Sequence, residues 1–134
     1  MNIIFISFII FITVSCDMFN ENDLYGYYTP NYLNNYDTIQ IKPKGIYYRK
    51  VYDKNKKLIL EMNGKWRFES GNKIIIEKFY LNLDDNLIKF PDLSKDTNYS
   101  ISTNFQNDNS GMFFCVGYSK DQNCYRKLKK KILL

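Results

Sequence analysis

The chain contains no histidine. That removes Ser-His and Cys-His nucleophilic chemistry and most zinc and copper sites, where imidazole is the usual base or ligand. It also carries no glycine-rich phosphate loop and no acidic calcium-binding loop. The adjacent carboxylate pair Asp84-Asp85, followed by Asn86, reads as a turn rather than as a general acid and base. Only three Pro and six Gly punctuate the chain. With no catalytic constellation to assemble, we expect a protein that is not an enzyme and that holds no cofactor and no metal.

What is abundant is aromatic. Twelve Tyr and ten Phe favour strands over helices. The 134 residues suffice for one domain with its own core. The net charge is +5, and the tail holds Arg126, Lys127, Lys129, Lys130 and Lys131, which equals the whole excess. Such a tail reads as a solvated terminus, and no nucleic-acid partner is expected. Cys124, Arg126 and Leu128 alternate with Tyr125, Lys127 and Lys129, which favours a closing strand. A tail leaving that strand near Lys129 would instead turn its lysines to anionic lipid.

Residues 1–15 form an uncharged segment whose apolar run, Ile3 to Val14, is interrupted by Ser7 and Thr13. About a dozen apolar residues are too few to span a bilayer, which takes ~20. The segment reads as a secretory signal peptide. It ends in Thr13-Val14-Ser15-Cys16, which resembles the lipobox of bacterial lipoproteins. Ser15 fits the position before the modified Cys, Val14 is tolerated, and Thr13 stands where Leu is usual. No Lys or Arg follows Met1, a second departure. The resemblance implies diacylation of Cys16, cleavage before it and a stable membrane anchor, because two or more acyl chains are attached. It places the protein in the bacterial cell envelope, outside the cytoplasm. Residues 16–23, with Asp17, Glu21 and Asp23, read as the lipidated Cys and a short acidic tether.

Residues 24–134 read as the folded domain, an all-β unit of about eight strands: a small antiparallel up-and-down barrel or a sandwich. Leu58 to Phe68 is its longest strand signal. Leu58, Leu60, Met62, Gly64, Trp66 and Phe68 share one face, and a bend or bulge is expected at Asn63-Gly64, with service to two neighbours. Leu24 to Tyr28 and Asp37 to Lys42 precede it. Pro43-Lys44-Gly45 predicts a three-residue type I turn with a Gly bulge, pairing Lys42 with Ile46 and Ile41 with Tyr47. That register puts Ile39, Ile41, Tyr47 and Val51 inside together with Arg49, which then needs a partner. Lys73 to Leu83 reads as one strand with two apolar faces, Leu87 to Phe90 as a short strand, Tyr99 to Ser102 as a strand and Phe105 to Ser110 as a loop. Gly111 to Tyr118 and Asn123 to Leu128 form a last hairpin.

The runs G-Y-Y, D-T-I-Q-I-K-P-K-G-I-Y-Y, G-K-W-R-F and I-I-I-E-K-F between Gly26 and Phe79 resemble small lipocalin-like lipoproteins. The resemblance covers under half of the chain and implies a compact β-barrel. Gly64-Lys65-Trp66 is similar to the Gly-x-Trp of lipocalins, but there the motif opens the first strand, and here it lies mid-chain. Cys115 and Cys124 would be diagonal neighbours if Gly117 paired with Cys124, at a marginal ~7 Å. A disulfide and two free thiols both remain open. Tyr25, Tyr27, Tyr28, Tyr32 and Tyr36 form a cluster that fills a core or lines a surface. Trp66, Phe68 and Tyr47 are expected to fill the barrel. The functional expectation is an anchored, non-catalytic domain acting through its surface in protein interaction or inhibition. The alternative is a binding module for a small apolar or amphipathic ligand.

Overall fold

The computed structural model describes residues 18–30, 36–82, 86–90, 92, 95, 99–117 and 124–129. Among them are eight strands: β1 (Gly26–Pro30), β2 (Tyr36–Lys42), β3 (Ile46–Tyr52), β4 (Leu58–Glu69), β5 (Lys73–Glu77), β6 (Ser100–Asp108), β7 (Gly111–Cys115) and β8 (Cys124–Lys127). Each pairs antiparallel with its successor, and β8 pairs back onto β1. The result is a closed up-and-down barrel. Closure leaves no ladder edge open.

Two strands make the closure work by changing neighbours. Leu58 to Lys65 of β4 pair with β3, and Trp66 to Glu69 pair with β5. Strand β6 likewise gives Ser100 to Asn104 to β5 and Phe105 to Asp108 to β7. The expected bulge at Asn63-Gly64 is not where the β3–β4 ladder is irregular. Register runs unbroken through both residues and shifts between Val51 and Tyr52. What Gly64 does is admit the ring of Tyr47, its cross-strand partner: a Cβ there would lie 2.5 Å from Tyr47 Cε1.

The hairpin of β2 and β3 has the three-residue loop and register expected, Lys42 with Ile46 and Ile41 with Tyr47. The loop interior differs from a type I turn. Lys44 takes φ 65° and Gly45 φ 67°, while type I needs a negative φ at its second central residue. The Gly45 carbonyl accepts the Trp66 N–H at 2.9 Å, which ties the turn to β4.

Three other expectations are corrected. Strand β5 stops at Glu77 rather than Leu83, because Lys78 enters the left-handed region at φ 54°. The turn changes the parity, so Ile74 and Ile76 are buried inside together with Phe79. The Leu87 to Phe90 stretch is helical: α1 (Asn86–Lys89) buries Leu87, whose N–H donates to Asn82 Oδ1. Phe105 to Asp108 is strand, not loop, with Phe105 buried and Gln106 to Asp108 exposed.

The acidic segment is not a free tether over its whole length. Phe19 packs on the core, and its N–H donates to Asn72 Oδ1 at 3.1 Å. A 3-10 turn, Glu21–Leu24, buries Leu24 completely. Tyr28 OH donates to Leu24 O at 2.7 Å from inside the barrel. This end of the barrel also carries the β2–β3, β4–β5 and β6–β7 turns. The opposite end carries the β3–β4 turn and the other three connections, of which β5–β6 and β7–β8 are the long ones.

Candidate functional site

Alternation along β2 and β3 aims Asp37 and Arg49 inward. Ile39 pairs with Arg49 and Asp37 with Val51, so the two charged side chains are diagonal neighbours on one face. Arg49 grips Asp37 with two bonds, Nε to Oδ1 at 2.9 Å and Nη2 to Oδ2 at 2.6 Å. Tyr125, from β8, donates its hydroxyl to Asp37 Oδ2 at 2.7 Å and accepts from Arg49 Nη2 at 3.2 Å. Arg49 Nη1 donates to Tyr80 O at 2.5 Å. The guanidinium carbon lies 4.3 Å from the centroid of the Phe79 ring. Both charged side chains are wholly buried.

This cluster is a satisfied interior network. A buried ion pair persists when its lone pairs and protons find partners, as they do here. Its chemical consequence is positional. Arg49 holds the chain after β5 by the Tyr80 carbonyl and by the face of Phe79. Tyr99 O accepts the Phe79 N–H at 3.0 Å, securing the same segment from the other side.

Around Ile39, Ile41, Ile74 and Ile76 the remaining interior holds a group of aromatic rings. Phe114 stacks on Tyr125 with centroids 5.3 Å apart and planes 12° apart. Phe105 and Phe114 meet edge to face at 5.3 Å, and Tyr28 contacts both. Trp66 is 4% exposed, and its Nε1 donates to Lys42 O at 2.9 Å and to Ile46 O at 3.1 Å. The Tyr47 hydroxyl shares its hydrogen between Glu77 O at 2.7 Å and Lys78 O at 3.1 Å. Burial pushes the Tyr47 phenol from its ordinary 10.0 up to about 12, with the Arg49 charge opposing. Tyr28 is raised as well, by burial alone.

Outside, large apolar side chains are exposed at the end with the long connections. Phe90 is 60% exposed just after α1, and Tyr99 and Leu58 are exposed too. Helix α1 packs against β3 and β4. The Tyr80 and Tyr99 rings lie 5.3 Å apart. Phe90, Tyr99 and Leu58 are the candidate interaction residues.

Of the residues singled out in the sequence, those of 1–17 (Cys16 and Asp17 among them), Tyr32, Asp84, Asp85, Lys130 and Lys131 lie outside the described residues. Cys115 and Cys124 are directly opposed on β7 and β8 and joined by a disulfide. The diagonal arrangement, with Gly117 opposite Cys124, is therefore corrected: β7 ends at Cys115, and residues 118–123 lie outside the description. Among the described residues no three His, Cys, Asp or Glu side chains come together as a metal site. Asp37 was not singled out from the sequence, although its signal was there. It shares the parity of Ile39 and Ile41, which the hairpin register turns inward. Tyr125 carried no such signal, because its partner is set by the seam between the first and last strands. Comparison with known proteins found no matching family model, no matching curated sequence and no matching solved structure.

Proposed function

We propose that this chain is a bacterial envelope lipoprotein, anchored through acylated Cys16, whose non-catalytic barrel acts through its surface on another protein. The observation that carries the surface reading is the filled interior. Arg49, Tyr28, Tyr47, Tyr125, Phe79 and Phe114 are the largest fully buried side chains, and they occupy the volume in which a carrier barrel would hold its ligand. An eight-stranded barrel is wide enough for its own side chains or for one small ligand. The lipocalin-like resemblance is thus read as kinship of shape. The anchor reading is supported by the uncharged apolar run ending in Ser15-Cys16.

Labelling with a radioactive fatty acid tests the anchor. Label is expected in the natural chain and absent from Cys16→Ser; label on the variant overturns acylation at Cys16. A photo-crosslinking residue at position 99, against one at position 50 on the barrel's side, tests the surface reading. A protein adduct in the intact envelope is expected from position 99 alone. Native mass measurement completes it: a co-purifying apolar ligand would mark the barrel as a carrier instead.

A further inference from the structure

The two ends of the barrel differ in chemistry, and the end that carries the N-terminal segment has a basic side. On the outer face Lys42, Ile46 and Lys65 form one cross-strand row of β2, β3 and β4. Lys44 stands in the adjoining turn, and Tyr48 lies next to Ile46 on the same face. Among the described residues Lys42, Lys44 and Lys65 enter no ion pair. Other cations of the outer wall do: Lys50 meets Glu61 at 3.2 Å, and Lys73 meets Glu69 at 3.4 Å. Lys42 Nζ sits 4.9 Å from the Tyr48 ring centroid. Ile46 and Tyr48 are exposed. Lysines around an exposed isoleucine and tyrosine suit an interface where phosphate headgroups meet hydrocarbon.

The position of the N-terminus decides which interface this is. Met18, 80% exposed, precedes Phe19, which is fixed to Asn72 in the β4–β5 turn of the same end. Two residues of chain reach at most ~7 Å, so the Cys16 backbone stays close to Met18. Of the described carboxylates of this end, Glu21 and Asp23 keep their charge and bond to neutral donors, the Tyr25 OH and the Asn20 N–H, and the others are paired with cations. Asp108 pairs with Arg126, and Glu69 with Arg67 and Lys73.

We propose that Lys42, Lys44 and Lys65, with Ile46 and Tyr48, dock the barrel on the anionic headgroups of the bilayer that holds its anchor. The inference rests on the reading of Cys16 as acylated. Three lysines are too few to recruit the free domain, but they select a face once the anchor has confined it. The barrel then lies with its β2–β3–β4 side against lipid at the end that carries the N-terminal segment.

Trp66, the single tryptophan, reports on this face, because its indole bonds to the carbonyls of Lys42 and Ile46. The acylated full chain is reconstituted into phosphatidylcholine vesicles or into an equimolar mixture with phosphatidylglycerol. Both contain a headgroup-spin-labelled lipid. Flotation reads the anchor, and quenching of Trp66 reads the docking. Quenching is expected to be about twofold stronger on anionic vesicles and to fall to the neutral level in high salt. The triple variant Lys42→Glu, Lys44→Glu, Lys65→Glu should show that lower level while floating as before, with an unchanged emission maximum certifying its fold. A chain that floats but is quenched equally on both vesicles overturns the docking face alone. A chain that does not float sinks the anchor reading, and the docking face with it.

Discussion

Asp37 and Tyr125 are 88 residues apart in the chain, and their side chains meet at 2.7 Å inside the barrel. One comes from β2 and the other from β8, with β1 between them. The contact forms only if the ladder has closed in the right register, and Arg49 then completes it from β3.

Asp37→Leu should destabilise the fold by about 3–5 kcal/mol, because it strands a buried guanidinium. Arg49→Met alone should cost a similar amount by stranding the carboxylate. The double variant Asp37→Leu, Arg49→Met should be more stable than either single one, since the uncompensated charge is gone. Urea midpoints of the four proteins test this. A double variant as unstable as the sum of the singles would refute the coupling.

Gly64→Ala should cost about 1–3 kcal/mol, the range for an overfilled core position. The new methyl group meets the Tyr47 ring, which cannot swing away without giving up its bond to Glu77 O. In a Tyr47→Leu background the same change should cost clearly less. Equal losses in the two backgrounds would show that the close approach is not the cause.

Trp66→Ala should cost about 3–5 kcal/mol, as for an emptied aromatic site. The native protein should emit at short wavelength and shift red on unfolding. A water-like maximum in the folded protein would place the indole outside.

Tyr47 gives the fold an alkaline limit. Its folded-state pKa is raised from 10.0 to about 12, so the folded form holds the phenolic proton after the unfolded chain has released it. The contribution is fully present below pH 10 and is lost as pH rises toward 12. The fall in urea midpoint from pH 9 to pH 11 should be shallower in Tyr47→Phe than in the natural chain. Parallel slopes would remove Tyr47 as the cause.

A thiol count on protein denatured without reductant should find no free thiol from Cys115 or Cys124, and one after Cys115→Ala. Loss of the bridge should cost about 2–3 kcal/mol, the loop-entropy value for a loop of this length. Two thiols from this pair would end the disulfide.

Sequence pattern was sufficient where each signal was local. Pro43-Lys44-Gly45 set the register of β2 and β3, and that register put Arg49 inside and asked for its partner. Alternation through Leu60, Met62, Trp66 and Phe68 defined the inner face of β4, but Leu58, of the same parity, is exposed beyond the register shift between Val51 and Tyr52. Pattern failed where a single backbone angle decided. Nothing about Lys78 distinguishes it from its neighbours in Lys73 to Tyr80, yet its left-handed turn ends β5. Leu87 to Phe90 is too short for period to separate helix from strand. Gln106, Asn107 and Asp108 are polar because they face water from a strand, and polarity alone resembles a loop. The exposure of Phe90 and Tyr99 depends on how α1 folds back, which no local motif encodes.

The seam between β1 and β8 also bears on how this protein is made. Tyr28 pairs with Lys127 and Pro30 with Tyr125, so the first strand waits for the last. A chain broken off before Cys124 lacks the partner of β1, one half of the bridge and the phenol that contacts Asp37. It keeps open edges on β1 and β7, where a protease or another unfinished chain can bind. The ladder of this barrel is therefore complete only once its last strand has been made.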